Sequence, residues 1–563
     1  MNDFLLLKLN RAIWVALLEQ QKILEGINYF ECYCNDIASI KNRKNKIDVD
    51  MELQVSRQFF LVIMKKLAQE FYDAKNYSNA IICYTSIFKL DRNDTDIIKN
   101  YISCLNHLHM YDLEIDLLTC LEEKSQDNYE VFKILSDTYA KQNNYKFAIE
   151  YYEKYMRSKP QSTINSFDYN QLGCYYNTYY SDTTHELNDA LKSLECFEKA
   201  SELEPFARLG HKNATIMATR ANEFEISKKH WDKLLELNVL NNDDKYDYAA
   251  FCLRTKDFAG WHKYYDSRFE KEHNKTFYPV IKKPRWDGKK KIKKSTLLVH
   301  CEQGFGDTFL VWGHIPKLTQ YAKRVIFVVQ DPIYDLIKNN NYGVEVVAKS
   351  NINLNTLEFD YHIPSMSVPI ALKLAEEQLC VGGGYIKADP KLTEELKEKY
   401  FNNNKLKIGV AFSGIASGNK TRNISIEQLL PLDKMKNVEF YSLTKEVSDK
   451  ELEIFKNNKI HNLAHEFINF SHTAAAIENC DVIISTDNCI LNLAGAMGKK
   501  TFGLFNFHFD FRWYDLTGED SGWYTSVKPY VNKVMDNWSP SLEKIMTEIN
   551  QIQKNSLLIT LTK

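Results

Sequence analysis

Thr296-Leu297-Leu298-Val299-His300, followed closely by Glu302-Gln303-Gly304-Phe305-Gly306-Asp307-Thr308, reads as a buried strand that passes through a glycine loop into a helix. The glycines allow a tight turn and close backbone approach, and the start of the following helix favours an anion. Further along the chain, short apolar runs at Val325–Val329, Val344–Val347 and Phe359–Ile363 alternate with helical patterns. A second series begins at Leu406–Phe412 and continues with Val438–Leu443, Asp481–Ser485 and Thr501–Phe505. Strands alternating with helices predict parallel sheets covered on both faces. Two series meeting near residues 395–405 predict two Rossmann-like domains, 295–400 and 401–563, with ligands in the crevice beyond the strand carboxyl ends.

Toward the N-terminus the texture is different. Tyr77, Tyr111 and Tyr145 are 34 residues apart, as are Tyr84, Leu118 and Tyr152, and Ala80, Glu114 and Ala148. After a shift of 11 residues, around Tyr180–Thr184, the period resumes in Ala190, Phe224 and Phe258 and in Phe197, Trp231 and Tyr265. A 34-residue period of paired helical patterns is the tetratricopeptide (TPR) signature. Pro160 and Pro205 stand where second helices must stop. Glu114 is the poor match, a charge at a usually small position. The expected solenoid spans 60–270, behind an N-terminal helical segment, 1–59. Its aromatics are stacking core, and function falls to polar residues facing its groove. A linker, 271–294, carries Pro279, Pro284, Gly288 and a lysine cluster from Lys282 to Lys294 that reads as a solvated run.

Bulk properties exclude several classes. The chain's 563 residues exceed a single core. With a net charge of −2, nothing global argues for nucleic acid or an anionic membrane as partner, and neither is expected. Twelve cysteines without paired spacing, Cys32 and Cys34 forming an isolated C-x-C, read as reduced thiols in a cytoplasmic protein. The first residues lack a basic leader, and no apolar run approaches the roughly 18 residues of a bilayer span.

The strand ends hold the candidate chemistry. Asp307 reads either as a general base for an acceptor hydroxyl or as a helix N-cap carboxylate. A nicotinamide enzyme is a weaker reading: Asp331 stands at a plausible distance, but the third glycine of G-x-G-x-x-G would fall on Phe309. Ser413-Gly414 ends a strand, and the loop beyond it contains Lys420 and Arg422, which suit a diphosphate leaving group. Asp487-Asn488 precede a helix through Ile490–Ala496 whose first N–H groups could cradle phosphate. Asp487 could instead accept from ribose or sugar hydroxyls, or cap the helix. Small residues Ala494, Gly495 and Ala496 suit close packing on the sheet. Asp48-Val49-Asp50 lies in the helical N-terminal region and reads as incidental; no cluster has metal-ligand spacing.

Taken in order, these segments resemble bacterial TPR glycosyltransferases whose catalytic half is related to the ADP-heptose:lipopolysaccharide heptosyltransferases; the plan is also similar to protein O-GlcNAc transferase. The resemblance covers residues from about 246 to 530. It runs through Asp257–Trp261 with Tyr265 and Arg268-Phe269, Pro284–Gly288, Glu302–Thr308, Tyr441-Ser442-Leu443, the Asp487 helix, Asp510-Phe511-Arg512-Trp513, and Asp520-Ser521 with Trp523-Tyr524. It implies an α-helical TPR solenoid followed by a GT-B module, an inverting transferase without metal or other cofactor. Asp307 would be the base. Glu302, Gln303, Gly304 and Gly306 would form the acceptor-side loop. Ser413, Lys420, Arg422, Asp487, Asn488, Asn492 and Arg512 would face the nucleotide sugar. Asn488 stands where the family usually has Thr or Ser, and Asn492 where a His is common. The leading expectation is sugar transfer to a Ser or Thr hydroxyl of a protein bound along the TPR groove, flagellin or another surface protein being examples. The alternatives are a glycan or lipid-linked acceptor, and an inactive TPR scaffold.

Overall fold

The 34-residue period is written into the backbone as well as the side chains. Lys75, His109 and Asn143 share a left-handed conformation (φ 57°, 56° and 59°), and so do Asn222 and Lys256 (φ 60° and 61°). Each ends a first helix and turns the chain into the second helix of a hairpin. The structure is a computed structural model describing residues 3–41, 46–92, 94–122, 129–271, 280–353, 357–414, 422–517 and 521–561. It divides into two units, 1–183 and 184–563.

The first unit is helical among its described residues, from Asp3–Glu19 to Ser166–Tyr179. Its hairpins are tetratricopeptide-like: Tyr84, Leu118 and Tyr152 are fully buried, one per repeat, as are Ala80, Glu114 and Ala148. Glu114 is tolerated because Asn106 Nδ2 (3.3 Å to each oxygen) and Thr138 Oγ1 (3.0 Å) donate to its carboxylate. Burial still holds its pKa above the ordinary carboxylate value. The 11-residue shift begins in a π-helical turn, Tyr180–Thr184. Asp50 lies within the helix Lys46–Asp73, remote in sequence from any strand; the side chain of Asp48 lies outside the described residues.

The second unit opens with helices Leu187–Leu203, Arg208–Arg220, Phe224–Glu236, Asn242–Arg254 and Phe258–Tyr264. Their periodic residues Ala190, Phe197, Trp231 and Tyr265 are buried. The chain then crosses to a four-stranded sheet: β1 (Ile292–His300), β2 (Ala322–Val329), β3 (Glu345–Ala348) and β4 (Tyr361–Pro364), in the order β3-β2-β1-β4. The linker is tied to it. Trp286 is buried, its N–H donates to His362 O (2.8 Å) and His362 N–H donates to Pro284 O (3.1 Å), while the lysines around it are exposed.

The second sheet contains β5 (Leu406–Ala411), β6 (Val438–Ser442), β7 (His461–Asn462), β8 (Val482–Thr486), β9 (Thr501–Phe505) and β10 (Val527–Val531), in the order β10-β9-β8-β5-β6-β7. All pairings in both sheets are parallel. The chain leaves β5 toward one edge and returns to build β8, β9 and β10 on the other side. The carboxyl ends of β5 and β8 therefore flank a switch point, where loops diverge and leave a crevice. Helix Cys489–Met497 follows β8 and its Gly495 faces Tyr524, where a Cβ would fall 2.5 Å from the ring. Close packing at Gly495 is thus against an aromatic ring. The far face of the sheet is closed by Trp538 and by Leu542, Ile545 and Ile549 of the helix Ser539–Leu561.

Candidate functional site

Loops from the carboxyl ends of both sheets converge on a cavity of about 310 Å³. Gln303, Gly304, Gly306 and Asp307 come from beyond β1; Gly414, Arg422 and Asn423 from beyond β5. Asp487, Asn488, Cys489 and Asn492 come from beyond β8, Asp510, Arg512 and Trp513 from beyond β9. Trp523 completes the wall.

Gly304, not Asp307, is the N-cap of the helix Phe305–Trp312; Asp307 stands at the third helical position and reaches back to the cap. One carboxylate oxygen accepts from Gly304 N–H (3.0 Å), as a helix-capping side chain does. The other lies 2.8 Å from Arg512 Nε, across the cavity from its own sheet. Burial holds the Asp307 carboxyl above the ordinary range, and Arg512 offsets only part of that shift. Gln303 (φ 62°) accepts from Arg512 Nη2. Arg512 thus ties the loop after β1 to the loop after β9.

Three carboxylates share two arginines here. Asp510 Oδ1 accepts from Arg512 Nη1 (2.8 Å), and Asp510 Oδ2 accepts from Arg422 Nη2 (2.9 Å). Asp487 Oδ2 lies 3.3 Å from Arg422 Nη1, and its Oδ1 accepts from Trp513 Nε1 (2.8 Å). The two aspartates respond oppositely to similar burial. Burial pushes Asp510 up, but two guanidiniums and the Arg512 N–H outweigh it and the net shift is downward. Burial pushes Asp487 up to about 6, because the longer Arg422 contact and the indole return less and Asp510 repels it. A carboxylate poised near neutrality inside a cavity is a common mark of a functional position.

Several expectations are corrected. Asn488, not Asp487, caps the helix Cys489–Met497: its Oδ1 accepts from Ile490 N–H (2.8 Å) and Leu491 N–H (3.3 Å). Those donors are occupied by the protein's own side chain, so the helix start is not an open phosphate cradle. Asn492 lines the cavity but is held by Asn488 O (3.2 Å) and Tyr524 OH (3.1 Å). Gly306 packs against Asn492: a Cβ there would sit 2.9 Å from Asn492 Nδ2 and would displace that amide. Glu302 lies in the loop beyond β1, but its side chain is not among those lining the cavity. Its side chain is 2% exposed and accepts from Arg268 Nη2 (2.7 Å), Arg268 Nε (3.1 Å) and Met366 N–H (2.9 Å). Ser413 is not among the lining residues, whereas its neighbour Gly414 is. Lys420 lies outside the described residues.

Asp510, Trp513 and Trp523 take part without having been assigned roles from sequence. Trp523 Nε1 donates to Arg512 O (2.6 Å), fixing the loop that bears both Asp510 and Arg512. The available signal was position: Asp510 follows β9 as Asp487 follows β8, at the same sheet end. No group of three or more His, Cys, Asp or Glu suited to a metal ion occurs among the described residues.

No protein-family model matches the chain, and no curated protein matches it. Solved structures of MamA are similar to part of it. "Crystal structure of MamA protein" is 16% identical, covering 34% of this chain and 95% of that one at a TM-score of 0.27. MamA from Desulfovibrio magneticus RS-1 is 17% identical over 32% of this chain and 95% of that one, with a TM-score of 0.26. A third, MamA MSR-1, is 19% identical over 32% and 96%, with a TM-score of 0.26. This likeness assigns no chemistry to the chain. No helix among the described residues is long and apolar enough to cross a membrane.

Proposed function

We propose that the chain is a GT-B glycosyltransferase that moves a sugar from a nucleotide-sugar donor to a Ser or Thr hydroxyl of a protein. The observation that carries the reading is the meeting of Asp307, from the first sheet, with Arg422, Asp487, Asp510 and Arg512, from the second, in one cavity at the strand carboxyl ends. Asp307 is the base that takes the acceptor proton. In the resting arrangement Arg512 covers one of its oxygens. An incoming diphosphate competes for Arg512 and Arg422, whose fork geometry suits phosphate oxygens. As the arginines turn to the diphosphate, Asp307 is released toward the hydroxyl. The developing charge on the leaving diphosphate is then met by groups already in place. Asp487, with a carboxyl pushed to about 6, accepts from sugar or ribose hydroxyls once ionised. With the helix start capped by Asn488, the arginines rather than backbone N–H groups supply the anion site.

The helical hairpins support a polypeptide as second substrate, since stacked repeats present extended surfaces suited to protein segments. Screening nucleotide sugars for thermal stabilisation tests the donor half of the proposal, because a ligand that binds the native state raises the melting temperature by mass action. Incubating the stabilising donor with Ser- and Thr-containing peptides, and separately with oligosaccharides, tests the acceptor half. An inactive scaffold would give no stabilisation by any donor.

A further inference from the structure

Asp510 and Arg512 line the cavity, while their neighbours in the same loop pack against the last helical hairpin, Asn242–Arg254 with Phe258–Tyr264. The Phe511 ring meets Tyr246 edge to face, with centroids 6.2 Å apart, and Tyr514 meets Phe258 in the same way at 5.7 Å. Asp515 accepts from Lys256 Nζ (2.7 Å), in the turn between the two helices. Arg254 Nη1 donates to Phe509 O (2.8 Å), and its guanidinium carbon lies 3.9 Å from the centre of the Phe509 ring. One hairpin thus clasps the loop at Phe509, Phe511, Tyr514 and Asp515.

Arg254 is 8% exposed, and its Nη2 donates to Asn222 Oδ1 (2.9 Å), in the left-handed turn of the preceding hairpin. Both of its hydrogen bonds go to neutral acceptors, a carbonyl and an amide. A buried cation is a costly choice for bonds that a neutral donor could make. Burial pushes the Arg254 guanidinium down to about 10, and Asp510, the residue after Phe509, pulls it the other way. The charge therefore acts on the loop beyond the one hydrogen bond that Arg254 gives it.

We propose that Arg254 and Tyr246 are positioning residues for Arg512: the last hairpin sets the loop so that Arg512 faces Asp307 and an incoming diphosphate. The diphosphate in that statement rests on the proposed transfer reaction; the clasp on the loop does not. The route is short. Tyr246 backs Phe511, and the Phe511 ring centre lies 5.0 Å from the Arg512 guanidinium carbon. Arg254 fixes Phe509 O, one residue before Asp510, and Asp510 Oδ1 accepts from Arg512 Nη1 (2.8 Å). The hairpin is thereby part of the framework of the donor site, and not only a surface for the acceptor.

Amide hydrogen exchange on the full chain, without donor, reads the clasp directly. Arg254→Met and Tyr246→Leu should each raise exchange of the Phe509–Asp515 amides about tenfold, with the helix Cys489–Met497 unchanged. Calorimetry with the panel of nucleotide sugars then reads Arg512. Each substitution should weaken binding about fivefold to tenfold, but less than about twofold in an Arg512→Gln background, because the group it positions is gone. A merely structural role would cost the same with or without Arg512. Tyr246→Leu carries the same cycle if the buried Arg254→Met fails to fold. Equal costs in the two backgrounds would overturn the proposal, as would unchanged loop exchange in a folded variant. A wild-type chain that binds no nucleotide sugar, with loop exchange still raised by Arg254→Met, would sink the transfer reaction and leave the clasp standing.

Discussion

Glu302 and Asp307 stand five residues apart on one loop and helix, and each meets an arginine brought from elsewhere in the second unit. Around Glu302 the account of polar groups closes. Arg268 is 1% exposed and donates to both Glu302 oxygens, to Asp266 Oδ1 (2.7 Å) and to Ser367 Oγ (2.8 Å). Around Asp307 it does not close: three carboxylates divide two arginines beside an open cavity, and one carboxyl is pushed up to about 6. The same residue chemistry fixes the last repeat to the first sheet in one place and is left adjustable in the other. Saturated ion pairs hold a structure, whereas unsaturated ones can exchange partners with a ligand.

The largest effect should come from breaking the closed cluster. Arg268→Met leaves a buried carboxylate at Glu302 without its cation and should lower unfolding stability by about 3–5 kcal/mol, read by denaturant titration. Asp307→Asn should do the opposite. Stability should change little, while transfer falls by about a hundredfold to a thousandfold at unchanged donor affinity. If Asp307→Asn unfolds the protein as readily as Arg268→Met does, the two clusters are not different in kind.

Asp487 supplies a pH test of the open cluster. Its carboxyl is raised from 3.8 to about 6, so between those values the folded chain holds more protons than the unfolded one. Stability therefore falls as pH rises from about 4 to about 6, by up to about 2–3 kcal/mol from this group, and levels off above that. Melting curves across that range should show a shallower fall in Asp487→Asn; an unchanged slope would remove Asp487 from the set of strained carboxyls. The smallest effect belongs to the repeats. Glu114→Gln keeps a polar group within reach of Asn106 and Thr138, and should change stability by less than about 1 kcal/mol.

The repeats and most strands were legible because their signals are local. The 34-residue spacing returned in both the buried side chains and the left-handed turns, and Thr501–Phe505 is β9 to the residue. β10 escaped because Lys528 and Pro529 interrupt its apolar run, and β7 because two residues carry no periodicity. Of the residues that line the cavity, Asp307, Arg422 and Asp487 were legible as polar residues at strand ends, and Arg512 only through the family resemblance. The burial of the Glu302 side chain was not legible because its partner, Arg268, arrives from a helical turn 34 residues earlier, a partnership that no local pattern encodes. The capping role of Asn488 was not legible because capping and ligand binding call for the same residue types at a helix start.

The central claim is that the open cluster receives an activated sugar. Calorimetric titration of wild-type chain and of Arg422→Gln with a panel of nucleotide sugars tests it most directly. The account predicts saturable binding of at least one nucleotide sugar, weakened about tenfold or more by Arg422→Gln. Absence of binding by every nucleotide sugar, or an affinity indifferent to Arg422, would contradict it.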